Sequence, residues 1–136
     1  MNDIASIPCE QDKISYISPC QSGVYVIECD NSTVSHDTLS YTTLSAKRRN
    51  EAIQSEQIVY VGSAEWLQRR ICDHFYGDGA KFTTHHPPVK VLEYKYTESN
   101  EEFEERKLAK KLHDPPNVFV FSDQLFDHNG NYHTTL

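Results

Sequence analysis

The chain has 136 residues, of which 38% are hydrophobic and 24% charged, and this size and composition are typical of one globular domain. Its apolar runs are too short to span a bilayer, which excludes a membrane-spanning protein. The formal net charge of -7 excludes a protein that coats nucleic acid through a broadly basic surface, because such binding depends on counterion release.

The N-terminal segment and the cysteines indicate a cytoplasmic protein. Residues 1–13 contain neither the basic start nor the apolar stretch of a secretory signal. The four cysteines include no C-x-x-C pair, and their spacing fits neither a zinc knuckle nor a dense disulfide framework. We therefore expect reduced thiols.

Charge is unevenly distributed along the chain. Residues 59–96 carry five basic and four acidic side chains, whereas residues 1–58 and residues 97–136 each carry four basic and eight acidic side chains. The sequence therefore predicts a short, locally positive block within an acidic protein.

The first predicted elements are an extension, a strand and an insertion. Residues 1–22 contain two prolines and no periodicity, which indicates an extended N-terminal extension that is either packed at the edge of the fold or partly mobile. Residues 23–29 are rich in β-branched and aromatic side chains, which predicts a strand with Tyr25 on one face. Residues 30–56 form a polar insertion, and its second half, after a possible cap at Ser45, has the composition of a helix.

A second strand and a helix follow the insertion. Residues 57–61 repeat the strand pattern and end at Gly62. A helix is predicted directly after this glycine, because Leu67, Ile71 and His74 have the spacing of one helix face.

The rest of the core is predicted as a loop over residues 80–88, a third strand over residues 89–96 and a helix from Glu101 to Leu112. Residues 117–121 are open to being one more strand. This order predicts an α+β fold with a small, mainly antiparallel three-stranded sheet flanked by helices. We expect one domain over residues 1–136, with its core at 23–117 and a C-terminal tail at 118–136.

Short motifs in these segments resemble those of one nuclease superfamily. Gly23-Val24-Tyr25 lies in the first strand, and Tyr60-Val61-Gly62 lies at the end of the second. Arg70 follows the second motif by eight residues, and His74 comes four residues later. This ordered set resembles the GIY-YIG nuclease superfamily.

The resemblance extends over residues 23–117. Residues 60–70 are similar to the nuclease domain at the N-terminus of UvrC, and residues 77–83, Gly-Asp-Gly-Ala-Lys-Phe-Thr, are similar to small single-domain bacterial members. Each tripeptide alone is an ordinary strand end, but the ordered set would seldom coincide by chance. We therefore expect a nuclease of this fold.

The resemblance implies a divalent-metal-dependent DNA endonuclease that hydrolyses phosphodiester bonds, one strand per active site. A single glutamate on the last helix would hold Mg²⁺, with Mn²⁺ as a substitute, since Mg²⁺ prefers oxygen ligands and keeps several waters. Arg70 would clamp phosphate oxygens. Tyr25 and Tyr60 are the two family tyrosines, and Tyr25 is the better candidate for the general base. His74 would assist proton transfer.

The metal-binding glutamate has to be chosen among four at the start of the last helix. Glu105 shares the apolar stripe of that helix with Leu108 and Ala109, and the family motif also coincides with it. Glu101, one turn earlier on the same face, is the reserve choice. Asn117, after the prolines, resembles a terminal family asparagine.

Four basic residues outside this set are candidates for contacts with the DNA backbone: Lys81, Lys90, Arg48 and Arg49. For these, a solvated surface is an equally good interpretation. Structural explanations also exist for each site residue taken singly: a half-buried strand aromatic, a solvated helix edge or a carboxylate that stabilises a helix N-terminus.

Three features depart from the family pattern. Ser63 stands where UvrC-type members often have a lysine, the connection over residues 30–56 is long, and no separate DNA-binding domain is expected. Targeting is therefore expected to come from the core, the insertion, a protein partner or a homodimer, with DNA repair or restriction as the setting. The first alternative is a noncatalytic nucleic-acid or protein binding module that keeps the fold. The second is a globular protein that does not contact nucleic acid.

Overall fold

A computed structural model describes residues 14, 16–42, 44–77 and 79–122, with the backbone alone for Lys81. The elements of these residues are, in chain order, β1 (Gly23–Cys29), α1 (Ala46–Gln54), β2 (Gln57–Ala64), α2 (Leu67–Phe75), α3 (Lys81–His85), β3 (Pro88–Tyr96), α4 (Glu101–Leu112) and β4 (Val118–Phe121). Of the helices in this part of the chain, none is long and apolar enough to cross a membrane.

The sheet has four strands in the order β3-β1-β2-β4, so the prediction of three strands was wrong. β1 pairs antiparallel with both β2 and β3, whereas β4 pairs parallel with β2. Residues 118–121, placed in a C-terminal tail by the sequence, are this fourth strand. Their alternating Val-Phe-Val-Phe pattern has β-branched and aromatic side chains that cover both faces of the sheet, and Phe119 and Val120 are fully buried.

The two faces of the sheet have different cores. Tyr25, Ile27 and Tyr60 lie on one face, which α2 and α3 cover; we call it the tyrosine face. Val26 and Val61 lie on the other, where they pack against the apolar side of α4; we call it the α4 face. This alternation confirms the predicted orientation of β1, since successive strand residues point to opposite faces.

Two boundaries differ from the predicted ones, and the first difference follows from pairing with β1. Ser63 and Ala64 pair with Val24 and Gly23, so β2 continues past Gly62 and α2 begins only at Leu67. The predicted loop over residues 80–88 contains the short helix α3. The predicted helix over Glu101–Leu112 is confirmed as α4.

The N-terminal extension and the insertion both contribute to the core of the tyrosine face. Ile14 and Ile17, in the described part of the extension, are buried there, so this part belongs to the core rather than to the edge. Leu39 and Leu44 of the insertion are buried in the same cluster. Ser45 caps α1 as predicted, since its hydroxyl accepts a hydrogen bond from the Arg48 N–H at 3.2 Å.

Candidate active site

Three of the predicted site residues form one buried cluster on the tyrosine face. The Tyr25 hydroxyl lies 2.6 Å from Nε2 of His74, a hydrogen-bond distance. The Tyr60 ring centroid lies 5.1 Å from that of His74 and 6.3 Å from that of Tyr25. Tyr25 and Tyr60 are 1% and 5% exposed, and His74 is 0% exposed. The sequence spacing therefore did identify side chains that meet in space.

The strand register explains why the tyrosine of β1 lies close to the histidine of α2. Tyr25 pairs with Gly62 across the two strands, and its ring extends over this glycine. A Cβ atom at position 62 would overlap the Tyr25 hydroxyl. Because any larger residue would displace Tyr25 toward α2, the second motif of the sequence needs its glycine for packing.

His74 is a neutral imidazole. Its burial and, secondarily, the positive charge of Arg70 lower its pKa from 6.5 to about 3. Both ring nitrogens have partners, because Nδ1 lies 2.8 Å from the Thr83 hydroxyl while Nε2 faces Tyr25. The histidine is therefore held in place at both ends and carries no charge at neutral pH.

Arg70 borders this cluster from one turn earlier on α2. It is half-buried, and among the described residues its guanidinium has no hydrogen-bond or ion-pair partner. A guanidinium in this state has its donors available for the oxygens of a phosphate group.

Glu105 is the centre of a second cluster. Its carboxylate is 4% exposed and accepts two short hydrogen bonds, from the Ser63 hydroxyl to Oε1 and from the Ser122 hydroxyl to Oε2, both at 2.6 Å. Ser122 directly follows β4. In the sequence, Ser63 stands out only as a replacement of the family lysine, and no local pattern points to Ser122. The parallel pairing of β4 with β2 is what brings Ser122 to α4.

The two clusters lie on opposite faces of the sheet at the same end of β2. Tyr25 and its partner Gly62 are on the tyrosine face, whereas Ser63, the next residue, is on the α4 face with Glu105. Adjacent strand residues alternate between faces, so the clusters are one residue apart along β2 but separated by the sheet. Any single substrate group that reaches both must lie beyond the end of this strand.

The residues around Glu105 fit a divalent cation that is held by one carboxylate. Their side-chain ligand atoms are all oxygens, the type that Mg²⁺ prefers. Within the described ranges no group of three or more His, Cys, Asp or Glu side chains is suitably placed for a metal, so waters would complete the coordination. Glu101 remains an alternative ligand, because its Oε1 is buried without a hydrogen-bond partner in this part of the chain.

Of the four predicted DNA-backbone residues, the three whose side chains the structure describes have partners outside both clusters. The Lys90 ammonium lies 3.8 Å from the Glu28 carboxylate, and the Arg48 guanidinium forms an ion pair with Glu51 at 3.0 Å. Arg49 donates from Nε to the Leu44 carbonyl at 3.1 Å. The side chain of Lys81 lies outside the described part of the chain, so DNA contact by these four residues stays a prediction.

Asn117, the other residue suggested by the resemblance, lies away from both clusters. Its amide donates to the Asp114 carboxylate at 3.1 Å, and it precedes β4, whose first residue Val118 pairs with Gln57 at the start of β2. Gly62 and Ser63 are near the other end of that strand.

Comparison with known proteins gives one match, to a family model. The family model described as the GIY-YIG catalytic domain matches residues 21–116, a range that includes both tyrosines, Arg70, His74 and Glu105 and ends before β4. No curated protein and no solved structure matched the chain. Because the matched range covers well over half of the sequence and contains the whole motif set, the chain belongs to the GIY-YIG family.

Proposed function

We propose that the chain is a divalent-cation-dependent DNA endonuclease that hydrolyses phosphodiester bonds and cuts one strand per active site. Membership of the GIY-YIG family supports a nuclease-type function in general. The observation that carries the specific proposal is the short hydrogen bond between Tyr25 and His74, next to the Arg70 guanidinium, which has no partner among the described residues.

Tyr25 is the general base of this proposal. A free phenol has a pKa of about 10 and activates water poorly, so its proton needs an acceptor at the moment of attack. His74 is neutral and within hydrogen-bond distance of that proton. Since the charge of Arg70 helps to keep the His74 pKa low, a phosphate anion on Arg70 would weaken this effect and make His74 a better acceptor when substrate is bound.

Glu105 is the cation ligand of this proposal, and its two serine partners hold the carboxylate in one orientation. A divalent cation bound there would supply neutralisation of the developing phosphate charge and stabilisation of the leaving oxygen. Arg70 would bind the phosphate from the tyrosine face, and Tyr60 would pack beside His74 and limit its movement.

A strand-cleavage assay tests this proposal. The full chain is incubated with supercoiled and branched DNA with and without Mg²⁺, beside Tyr25→Phe and Arg70→Ala. We expect open circles rather than linear molecules as the first product, and a loss of at least about 100-fold in rate for each variant. The matched controls are Tyr16→Phe and Arg69→Ala, which change exposed residues of the same types.

Wild-type cleavage rates for both Tyr25→Phe and Arg70→Ala would contradict the site assignment. Because Tyr25→Phe removes a buried hydrogen bond, its circular dichroism is recorded beside the assay to confirm that the protein is folded.

A noncatalytic nucleic-acid or protein binding module is the second candidate, and the burial of Tyr25 and His74 favours it. In a nuclease that uses Tyr25 as its base, this buried side chain has to become accessible to water and to the phosphate when DNA binds. A binding module needs no such change. Salt-sensitive DNA binding without cleavage in either Mg²⁺ or Mn²⁺ would support the module.

Within the nuclease proposal, the setting is DNA repair or restriction in the cytoplasm, with a protein partner or homodimer for targeting.

A further inference from the structure

We propose that Thr83 is a positioning residue that fixes the tautomer of His74. A chain of hydrogen bonds connects the Ala80 carbonyl, the Thr83 hydroxyl, the His74 ring and the Tyr25 hydroxyl, at 3.0 Å, 2.8 Å and 2.6 Å in that order. The catalytic consequence of this arrangement rests on the proposed nuclease function, but the tautomer itself does not.

The direction of the protons follows from counting donors. The Thr83 hydroxyl has one proton, and if it donates to the Ala80 carbonyl, it must accept from Nδ1–H of His74. Nε2 then has a free lone pair and accepts from the Tyr25 hydroxyl. In this arrangement each of the three short contacts contains one proton.

The opposite direction satisfies only two of these three short contacts. Thr83 would donate to Nδ1 and lose its bond to the Ala80 carbonyl, and Nε2–H would point at Tyr25. N–H donors usually lie about 2.7 to 3.2 Å from oxygen, whereas O–H donors come as close as about 2.5 Å, so the 2.6 Å contact fits an O–H donor better. One contact of the described residues favours the opposite direction, because the Ala80 N–H can donate to an unprotonated Nδ1. Its distance from Nδ1 is longer, 3.4 Å.

The segment that carries Thr83 is anchored on both sides. Phe82 stacks on Phe121 at 4.0 Å between ring centroids, and the next residue after α3, His86, lies 2.8 Å from the Thr33 hydroxyl of the insertion. Gly79 packs so closely on His74 that a Cβ there would overlap the ring. The threonine hydroxyl is therefore held opposite Nδ1 by packing, and the insertion over residues 30–56 helps to hold it.

The tautomer decides what His74 can do for Tyr25. A ring with the proton on Nδ1 presents a lone pair to the tyrosine hydroxyl and can receive its proton. A ring with the proton on Nε2 presents a donor and cannot. Removal of the Thr83 hydroxyl should therefore impair proton transfer from Tyr25 without removing any group that contacts the phosphate.

Nitrogen NMR of histidine-labelled full chain measures the tautomer directly. In the wild type we expect the His74 proton on Nδ1. Thr83→Val keeps the shape of the side chain but removes the hydroxyl, and should move a measurable fraction of His74 to the tautomer with the proton on Nε2. Thr83→Ser keeps the hydroxyl and should show the wild-type nitrogen shifts. Thr84→Val, at the exposed next residue of α3, removes a hydroxyl that also donates to the Ala80 carbonyl, at 3.2 Å, but leaves the Thr83 hydroxyl in place. It is the matched control and should leave the shifts unchanged.

Kinetics provide the second readout. Thr83→Val should lower kcat for strand cleavage by about 100-fold with KM unchanged, and Thr83→Ser should recover most of the loss. A wild-type His74 with its proton on Nε2 would overturn the proposal, and this outcome does not depend on whether any variant folds. A protein that shows the Nδ1–H tautomer but cleaves no DNA would support the role of Thr83 and contradict the nuclease function instead.

Discussion

Replacement of Glu105 by glutamine is expected to lower the rate of DNA strand cleavage by at least about 100-fold, because the amide removes the negative charge that holds the cation. Glutamine has nearly the same volume, and its amide can exchange hydrogen bonds with the hydroxyls of Ser63 and Ser122. The loss should therefore appear in cleavage and in the Mg²⁺ dependence, with little change in unfolding.

Two further glutamates on α4 make the experiment specific. Glu102→Gln changes an exposed neighbour and should cleave at the wild-type rate. Glu101→Gln changes the reserve ligand, whose Oε1 is buried. Wild-type activity in Glu105→Gln together with a large loss in Glu101→Gln would transfer the metal-binding role to Glu101, and wild-type activity in both variants would contradict a cation site at this end of α4.

Stability is expected to fall strongly between pH 7 and pH 5 because two buried histidines and one half-buried histidine are neutral in the folded chain. Burial is the main cause that lowers the pKa from 6.5 to about 3 for His74 and to about 4 for His86 and His113. In this pH range the unfolded chain binds protons that the folded chain excludes, so stability is complete above about pH 7 and is lost as the pH decreases. The expected loss is about 2 kcal/mol for each histidine.

Urea unfolding at the two pH values measures this loss. His86→Gln should reduce the difference between pH 7 and pH 5 by about one third, since it removes one of the three titrating groups. The matched control is His36→Gln, at an exposed position, which should keep the wild-type difference. Equal stability of the wild type at both pH values would contradict the neutral, buried state of His74 on which the proposed proton transfer depends.

Local patterns were sufficient to predict those parts of the fold that depend on short sequence ranges. The alternation in residues 23–29 predicted β1 and the face that carries Tyr25, and the periodicity around Glu105 predicted α4 and its buried carboxylate. These predictions succeeded because strand alternation and helix periodicity are properties of neighbouring residues.

Contacts between distant segments were not predictable in the same way. Ser122 reaches Glu105 only because β4 pairs parallel with β2, and the register of a parallel pair leaves no local signal in the sequence. Thr83 reaches His74 because the predicted loop over residues 80–88 folds into α3. The sequence also could not indicate that the tyrosine and glutamate clusters lie on opposite faces, since this follows from the pairing of Gly62 and Ser63 with β1.

The sheet separates the two clusters, yet both must act on the same DNA phosphate if they form one active site. A crystal structure of Tyr25→Phe with Mn²⁺ and a short DNA oligonucleotide tests this requirement most directly, because anomalous scattering locates the metal. We predict manganese at Glu105 and, beyond the end of β2, one DNA phosphate that contacts both this metal and the guanidinium of Arg70. Manganese away from α4, or a phosphate that reaches only one of the two clusters, would contradict a single active site.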